Sequence, residues 1–377
     1  MKVLHVYRTY FPDAPGGLQE AIRQIAYATQ AVGVEARIFA LSPQPDPHEI
    51  ALGEGVVVRA RSWAAPASCD LGGLDAVRRY RALARWADVV HFHFPWPFGD
   101  LLRVFADTGV PAVMTYHSDI VRQKYLGMVY GPLMRKMLST MSTVVATSPM
   151  YAETSAVLTS LVPAKRLQIV PLGIRDYAEK LGIGSDGDEY LANLGLDNEP
   201  FFLSLGVLRY YKGLHTLVEA ASSTPAKLVI AGSGPETSRL KQLADRLQVN
   251  NVIFAGQVSE DEKITLLRRC RGLVLPSHLR SEAFGMVLVE AAMFGKPMIC
   301  CGIGTGTSFV NEDGVTGFVV SPEAPSALAD AINTLRDDEA LASTMGSAAR
   351  ARYERLFSAG PLGKAYMKIY QSACESN

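Results

Sequence analysis

The chain has 377 residues, of which 48% are apolar and 20% are charged, and its formal net charge at pH 7 is zero. This length corresponds to about two domains of ~100–200 residues each, and the composition excludes a disordered chain and gives no reason to expect a nucleic-acid partner. Charge is uneven, since residues 1–176 carry 18 Lys and Arg against 14 Asp and Glu, and residues 177–377 carry 19 against 23. This modest asymmetry suggests that the first half faces something anionic.

Nothing in the sequence predicts export or a membrane span. The N-terminus lacks the apolar core of a signal peptide because Arg8 interrupts it, and no stretch approaches ~18 uninterrupted apolar residues. The cysteines form neither a CxxC pair nor a metal-ligand spacing, which favours reduced thiols in a cytosol. They are Cys69, Cys270, Cys300, Cys301 and Cys374. We therefore expect a cytoplasmic protein, either free or held on the inner face of the plasma membrane.

The first half alternates short apolar strands with helical segments. Val3 to Val6 is predicted as a buried strand, and Leu18 to Ala31 has helical periodicity. Gly16 and Gly17 precede this helix, whose free N–H groups can bind an anion or a sugar. Further strands are predicted at 36–41, 56–59, 89–92, 112–116, 143–147 and 167–170. This alternation predicts a parallel, doubly wound α/β sheet.

Candidate histidines lie on or just after two later strands of this half. His91 and His93 alternate along one strand, and His117 follows the next. A lone histidine is more often structural than functional. Since the sequence shows no third ligand beside His91 and His93, we interpret these two as lining or packing residues rather than as a metal site.

Two interpretations are open for the segment from Lys124 to Met141, which mixes apolar residues with Lys124, Arg135 and Lys136. It can lie at an anionic membrane interface, in line with the positive first half. Alternatively, it is an ordinary packing helix, interrupted by Gly131-Pro132.

A second series of strands follows a polar, glycine-rich stretch at 176–200, which is the best linker candidate. Helices such as Leu214 to Ala221 and Thr237 to Leu247 separate the strands, and this pattern predicts a second Rossmann-like domain. The tail from Ser358 to Ala373 alternates apolar and basic residues around a Gly-Pro break and predicts a final helix. The second series of strands is predicted at 201–205, 227–231, 252–255, 272–275, 298–300 and 317–320.

Two loops of the second half carry candidate phosphate-binding groups. Arg209 and Lys212 lie between a strand and a helix, where cations can stabilise a phosphate, although such a pair alone is more often two solvated surface charges. Gly232 and Gly234 form a turn after another strand. A lone GxG is a weak signal, and this one lacks the third glycine and the acidic residue of a dinucleotide fingerprint.

The most informative stretch runs from Leu273 to Pro297. After a buried strand, a polar loop delivers Glu282, and an Ala-rich helix predicted from Phe284 to Phe294 carries Glu290. Gly285 falls in the first turn of that helix, where unpaired N–H groups attract a phosphate or a sugar oxygen. Glu290 lies about 7 Å further along the axis, at ~1.5 Å per residue. Because its neighbours are apolar, its carboxylate needs a partner or a ligand hydroxyl.

This E-x7-E pattern from Glu282 to Glu290, in the setting SEAFGMVLVEA, resembles the donor-sugar motif of retaining glycosyltransferases of family four. The resemblance covers nearly the whole chain and is most specific in the second half. It implies the GT-B fold, in which two Rossmann-like domains face each other across a cleft. The acceptor-side domain is expected at 1–176, with the C-terminal helix at 358–377 crossing back onto it, and the linker and donor domain at 177–357.

The resemblance also implies roles for individual residues. The family's diphosphate-binding motif, G-x2-R-x2-KG, matches Gly206, Arg209 and Lys212, and its histidine beside the transferred sugar matches His117. Glu290 is expected to hold the ribose hydroxyls and Glu282 the sugar hydroxyls. Predicted to act in catalysis are His117, Glu282, Arg209 and Lys212. Further donor contacts are expected at Gly17, Gly232, Gly234, Val258 (whose backbone reads the base), Phe284, Gly285 and Met286.

One loop departs from the family pattern. Many members carry a Gly-Gly pair with a Glu three residues on, whereas this chain reads Gly304-Thr-Gly-Thr, with no acidic residue before Glu312. A sub-branch of bacterial mannosyl- and rhamnosyltransferases looks like this. Thr305 to Ser308 are predicted to offer free N–H groups. No DxD motif follows a strand, because Asp186-Gly-Asp188 lies in the linker candidate. Cations and helix ends, rather than a metal, are therefore expected to stabilise the leaving group.

The resemblance implies a retaining glycosyltransferase that needs neither a metal nor a cofactor. Its donor is expected to be GDP-linked mannose or D-rhamnose, and its acceptor a glycan or lipid-linked glycan of O-antigen or surface-polysaccharide synthesis. A peripheral membrane contact through the N-terminal domain is expected with it. Two alternatives stay open, namely a GT-B nucleotide-sugar epimerase, which needs no acceptor, and a non-catalytic nucleotide-sugar-binding protein, which would be indifferent to Glu282 and His117. A phosphorylase would need a lysine motif for pyridoxal phosphate, and the sequence has none.

Overall fold

The computed structural model describes residues 1–66, 69–120, 124–178, 185–196 and 199–375. The chain divides into two compact units. Unit 1 comprises Met1–Arg175 and Ser358–Asn377, and unit 2 comprises Asp176–Phe357. Each unit is built around its own sheet, as the sequence predicts for a doubly wound α/β protein. Within the described part of the chain, no helix combines the length and apolarity needed to cross a membrane.

The sheet of unit 1 has nine strands and is parallel over most of its width. Its strands are β1 (Lys2–Val6), β2 (Glu35–Ser42), β3 (Glu49–Leu52), β4 (Gly55–Ala64), β5 (Leu71–Gly72), β6 (Val89–Phe94), β7 (Ala112–Tyr116), β8 (Thr143–Ala146) and β9 (Leu167–Ile169). The order is β3-β4-β2-β1-β6-β7-β8-β9, and β5 pairs with β4. The sequence analysis did not predict β3 and β5, which are antiparallel to β4. Neither has the buried apolar run of a central strand, because β3 is at an edge and β5 has only two residues.

The helices of unit 1 cover this sheet. They are α1 (Gly17–Gln30), α2 (Leu74–Trp86), α3 (Pro97–Phe105), α4 (Lys124–Ser139), α5 (Pro149–Thr154), α6 (Ala156–Leu161) and, from the end of the chain, α15 (Ala359–Glu375). The predicted interruption at Gly131-Pro132 is wrong, since α4 continues through Pro132. Buried Met137 and Leu138 anchor the turn that follows the proline. Helix α15 packs on α1 so closely that a Cβ at Gly363 would lie 2.2 Å from the carbonyl oxygen of Ala28.

The sheet of unit 2 has six parallel strands. They are β10 (Phe201–Leu205), β11 (Lys227–Ala231), β12 (Val252–Gly256), β13 (Gly272–Leu275), β14 (Met298–Cys301) and β15 (Gly317–Val320), in the order β12-β11-β10-β13-β14-β15. This is the Rossmann order 3-2-1-4-5-6. The order reverses between β10 and β13, and the crevice at their carboxyl ends is where such sheets bind ligands.

The helices of unit 2 lie between these strands. They are α7 (Ser185–Asn193), α8 (Leu214–Ala220), α9 (Thr237–Leu247), α10 (Glu260–Arg269), α11 (Met286–Met293), α12 (Thr307–Val310), α13 (Pro325–Asp337) and α14 (Glu339–Arg352). Because α7 occupies part of the polar stretch predicted as a linker, that prediction is wrong for 185–193, while 179–184 and 197–198 fall outside the described residues. Ser259 and Glu262 form a capping box that fixes the start of α10.

Candidate functional site

The candidate site of unit 2 lies at the carboxyl ends of β10 and β13. These strands are hydrogen-bonded neighbours, although 66 residues lie between them in sequence (206–271). After β10, the chain passes Gly206 and Arg209 and forms a short 3-10 turn at Tyr210–Lys212. After β13, a loop carries Glu282 into α11. The topology therefore places the two predicted ligand-binding loops side by side.

An ion pair joins these loops. Nζ of Lys212 lies 2.6 Å from Oε2 of Glu282, and the two side chains are only 15% and 12% exposed. The hydroxyl of Ser277 donates to the same oxygen at 3.4 Å. Burial lowers the pKa of Lys212, but the charge and hydrogen bond of Glu282, together with Tyr211 and Glu290, outweigh it, so that the pKa of this ammonium group is raised. Lys212 is therefore a fixed cation at the crevice, and Glu290 also acts on its charge.

The second glutamate, Glu290 in α11, has two partners that sequence reasoning missed. The Tyr177 hydroxyl donates to its Oε1 at 2.8 Å, and Nζ of Lys263 donates to the same atom at 3.2 Å. Burial lowers the pKa of Lys263, yet the charges of Glu290 and Glu260 raise it overall. Among the described residues, Oε2 of Glu290 and Oε1 of Glu282 accept no hydrogen bond. Each glutamate thus pairs with one lysine and keeps one oxygen for a ligand.

The helix that carries Glu290 begins later than predicted. Helix α11 starts at Met286, and Gly285 is its N-cap, with φ of +85°. The predicted start at Phe284 is wrong because the chain first turns through this left-handed conformation, which favours glycine. Phe284 is 4% exposed, and its ring contacts that of Phe357 edge-on. The first N–H groups of α11, at Met286 and Val287, have no partner within the helix.

The loop predicted to offer free N–H groups is partly engaged within the protein. The N–H of Gly306 donates to the carbonyl of Ala283 at 2.8 Å, and the Thr305 hydroxyl donates to the carbonyl of Glu282, also at 2.8 Å. Thr307–Val310 form α12. The prediction is therefore wrong for Gly306, and this loop braces the segment that carries Glu282.

Gly232 and Gly234 support the loop that presents Arg209. A Cβ at Gly232 would lie 2.0 Å from the carbonyl oxygen of Gly206, and one at Gly234 would lie 2.4 Å from that of Leu208. The close approach in the structure is therefore between two backbone segments. The Arg209 side chain is exposed and forms no ion pair with a described residue, so that it remains available to an anion.

Two further predicted donor contacts lie at or just before the start of a helix. Val258 is half-buried between β12 and α10 in unit 2. Gly17 is the exposed first residue of α1 in unit 1, and no atom lies within 4 Å of a Cβ placed on it.

His117 of unit 1 ends a row of buried histidines. Its Nε2 lies 3.0 Å from Nδ1 of His93, and Nε2 of His93 lies 3.1 Å from Nδ1 of His5. Burial lowers the pKa of His5 and of His117 to about 3. Burial, with the neighbouring histidines, also holds the pKa of His91 and of His93 well below the ordinary value. All four rings are therefore neutral at pH 7.

A third histidine joins His91 and His93, which the sequence analysis did not foresee. One ring nitrogen each of His5, His91 and His93 lie within 4.8 Å of one another. However, both nitrogens of His91 are hydrogen-bonded, to the Tyr370 hydroxyl at 2.8 Å and the Thr115 hydroxyl at 2.7 Å. Those of His93 are also engaged. These bonds favour the packing role predicted for His91 and His93.

The structure joins Lys212 to Glu282 directly and places Glu290 near them, whereas His117 and Gly17 belong to unit 1. The sequence around the missed residues, Tyr177 and Lys263, contains no motif that marks them as part of the site. Tyr177 lies in the stretch predicted as a linker, and Lys263 lies beyond Val258, the position predicted to read the base.

Family models match both halves of the chain. Residues 187–352 match the family "Glycosyl transferases group 1", and residues 16–173 match "Glycosyl transferase 4-like domain". The chain is 37% identical over 376 residues to the O-antigen chain mannosyltransferase C of Escherichia coli, with 100% of both chains covered. It is 41% identical over 370 residues to the D-rhamnosyltransferase WbpZ of Pseudomonas aeruginosa, covering 95% of this chain and 93% of that protein.

Solved structures give the same fold. Anabaena Alr3699/HepE in complex with UDP superposes with a TM-score of 0.80 at 21% identity, over 99% of this chain and 100% of that one. The sucrose-phosphate synthase of Thermosynechococcus elongatus gives a TM-score of 0.81 at 22% identity, with 100% of both chains covered. The likeness confirms the predicted GT-B fold. With full-length identity of 37% and 41% to two named transferases, the chain belongs to the group 1 glycosyltransferases and is a hexosyltransferase of the family-four type.

Proposed function

We propose that this glycosyltransferase moves mannose or D-rhamnose from a GDP-sugar to a glycan or lipid-linked acceptor in O-antigen or related surface-polysaccharide synthesis. The two full-length relatives are named for transfer of these sugars, and one of them for the O-antigen chain. The observation that carries the proposal is the pair of lysine–glutamate contacts at the β10–β13 crevice. Each contact leaves one carboxylate oxygen for a ligand hydroxyl.

The residues of unit 2 fit the parts of a nucleotide-sugar. Oε2 of Glu290 accepts hydrogen bonds from the ribose hydroxyls, and Oε1 of Glu282 accepts one from the sugar. Arg209, Lys212 and the first N–H groups of α11 bind the diphosphate. Charge grows on the diphosphate as it leaves, and removing one such donor typically costs about 10²–10³-fold in rate.

The proposed transfer is retaining and requires no metal. The acceptor hydroxyl attacks the anomeric carbon on the face that the diphosphate leaves. The bond from that carbon to the phosphate oxygen breaks, the bond to the acceptor oxygen forms, and the departing phosphate oxygen takes the acceptor's proton. Arg209 and Lys212 supply positive charge where other transferases use a metal ion.

A transfer assay tests these points together. The protein is incubated with GDP-mannose or GDP-D-rhamnose and a lipid-linked acceptor, with and without EDTA, and the product linkage is determined by NMR. We expect α-linked product from the α-linked donor and no loss of rate with EDTA. A β-linked product or EDTA-sensitive transfer would contradict the retaining, metal-independent proposal. Conversion of the donor without an acceptor would favour the epimerase, and binding without any turnover the non-catalytic protein.

We also propose a peripheral contact between unit 1 and an anionic membrane. Arg135 and Lys136 are exposed on α4, in the half of the chain with excess positive charge. In sedimentation with anionic vesicles, the double variant Arg135→Ala/Lys136→Ala should bind more weakly than wild type, at about 1 kcal/mol per removed charge. Lys165→Ala, also exposed in unit 1, is the matched control. Equal binding of wild type to anionic and neutral vesicles would overturn this contact.

A further inference from the structure

A continuous row of hydrogen bonds leads from the middle of the unit 1 sheet to His117. His5 lies in β1, His93 lies in β6, and His117 follows β7, and the two bonds of the row measure 3.1 and 3.0 Å. His5 is fully buried, and His93 and His117 are 2% and 6% exposed. The contact of His117 with the transferred sugar, which the family resemblance implies, uses only this last ring and leaves the rest of the row without a role.

Proton counting reduces this row to two arrangements. A neutral imidazole has one N–H donor and one acceptor nitrogen. His93 contacts a histidine through each nitrogen, so it must donate to one neighbour and accept from the other. Either every Nδ1 carries the proton and donates toward His117, or every Nε2 carries it and donates toward His5.

The far end of the row decides between the two arrangements. Nε2 of His5 is fully buried and has no hydrogen-bond partner in the described part of the chain. If the row donated toward His5, this atom would be a buried N–H without an acceptor, and such orphaned donors are rare because their desolvation is not compensated. If the row donates toward His117, the atom is an acceptor nitrogen, and no N–H is orphaned.

We propose that His5 and His93 are positioning residues that hold His117 in the Nδ1–H tautomer, so that His117 presents a hydrogen-bond donor to the nucleotide-sugar. Nδ1 of His117 makes no hydrogen bond to a described residue and is not among the fully buried unpaired atoms. An N–H at this position can donate to a sugar hydroxyl oxygen or to a phosphate oxygen, which only accepts. The opposite tautomer would repel a phosphate oxygen.

The tautomers can be read directly by NMR. The wild-type protein is labelled with ¹⁵N-histidine, and long-range ¹H–¹⁵N spectra distinguish a protonated from an unprotonated ring nitrogen. The chain has seven histidines, and the spectrum of His117→Asn assigns the signal of His117 by its absence. We expect a protonated Nδ1 and an unprotonated Nε2 for His117 at pH 7. A protonated Nε2 on His117 would overturn the proposal, whether or not the enzyme is active.

Variants test the role of the row. His93→Leu removes the donor to His117 and should release the ring into a mixture of tautomers, with kcat for transfer lower by up to about 10²-fold. His93→Asn keeps an amide donor near the position of Nδ1. It should therefore restore part of the Nδ1–H tautomer of His117 and part of kcat. His91→Leu is the matched control, since it removes another buried ring of β6 but leaves the bond between His93 and His117. An unchanged His117 tautomer in His93→Leu would contradict the positioning role.

This inference rests on the proposed function in one step only, the contact between His117 and the nucleotide-sugar. If NMR shows the Nδ1–H tautomer but His117→Asn transfers sugar at the wild-type rate, the row is correct and the proposed sugar contact is wrong. If His117→Asn is inactive but His117 carries its proton on Nε2, the contact stands and the row donates in the other direction. The two failures are therefore distinguishable.

Discussion

Acidification should destabilise unit 1 steeply, because its buried histidines are neutral. The pKa of His5 and of His117 falls to about 3 on burial, and the pKa of His91 and of His93 is also far below the ordinary value. Below about pH 6.5, the unfolded chain binds protons that the folded chain does not. Stability is therefore fully present above that pH and is lost as the pH falls toward the folded values.

The magnitude follows from linkage. Each neutral buried histidine lowers the free energy of unfolding by about 1.4 kcal/mol per pH unit below its unfolded pKa. Asp100 acts in the opposite sense, since burial raises its pKa to about 8 and the folded state then holds the proton. Between pH 7 and about pH 5.5, the four histidines lower the free energy of unfolding by about 5 kcal/mol, and Asp100 raises it by about 2 kcal/mol. The free energy of unfolding therefore falls by about 3 kcal/mol. That is a large part of a typical stability of about 5–15 kcal/mol.

Tryptophan fluorescence can follow this unfolding in the whole protein, because all three tryptophans, Trp63, Trp86 and Trp96, lie in unit 1. Urea titrations at several values from pH 7 down to pH 5.5 give the free energy of unfolding at each pH. His5→Leu should reduce the pH slope by about 1.4 kcal/mol per unit. Val90→Ala, in the buried strand β6, should lower stability equally at every pH. A flat pH profile, or an unchanged slope in His5→Leu, would show that the buried histidines do not set the pH dependence of stability.

Further predictions concern unit 2. Glu282→Gln frees Lys212 from its ion pair and leaves its charge to the diphosphate. Calorimetry should therefore show that GDP binds about 3- to 10-fold more tightly, while sugar transfer slows. Weaker GDP binding would contradict this prediction. Tyr177→Phe removes a hydrogen bond to Glu290 and should raise the donor Kd by about 3- to 10-fold, whereas Tyr210→Phe, whose ring packs on His215, should not. Gly232→Ala should lower the free energy of unfolding by about 2–4 kcal/mol, because the new Cβ would lie 2.0 Å from a carbonyl oxygen and φ is +129°. Urea unfolding followed by circular dichroism measures this loss. The control is Gly360→Ala, whose Cβ meets open space, and an equal loss in the two variants would count against the clash.

The sequence predicted the central strands of both sheets because they are short, apolar and bounded by turn residues. Five predicted strands, including β7 and β13, have the predicted bounds. Strand β3 escaped prediction because its residues are at most half-buried, and β5 escaped because it has only two residues. The start of α11 was misplaced because a single glycine conformation, at Gly285, decides where the helix begins. The local sequence pattern therefore predicts that a strand or helix exists better than it predicts the residues at which it begins and ends.

The candidate site also contains residues that the sequence predicts and residues that it does not. Glu282 and Glu290 belong to one local motif, and its resemblance to the family's donor-sugar motif was enough to predict them. Their partners could not, because Tyr177 lies 113 residues from Glu290 and Lys263 lies 27 residues from it in sequence. His5 likewise joins His93 across 88 residues, through the neighbouring positions of β1 and β6 in the sheet. Contacts of this kind are set by strand order, which the residues themselves do not display.

The most direct test of the account is whether the crevice between β10 and β13 binds a nucleotide-sugar through Glu290. Thermal unfolding of wild type and of Glu290→Gln is measured with UDP-, GDP-, ADP- and TDP-sugars. A donor at 100 times its Kd adds about 2.7 kcal/mol of stability, which corresponds to a shift of roughly 5–10 °C in Tm. We expect this shift for wild type with GDP-mannose or GDP-D-rhamnose, and a much smaller shift for the variant at the same concentration. No shift with any donor, or equal shifts in both proteins, would contradict it.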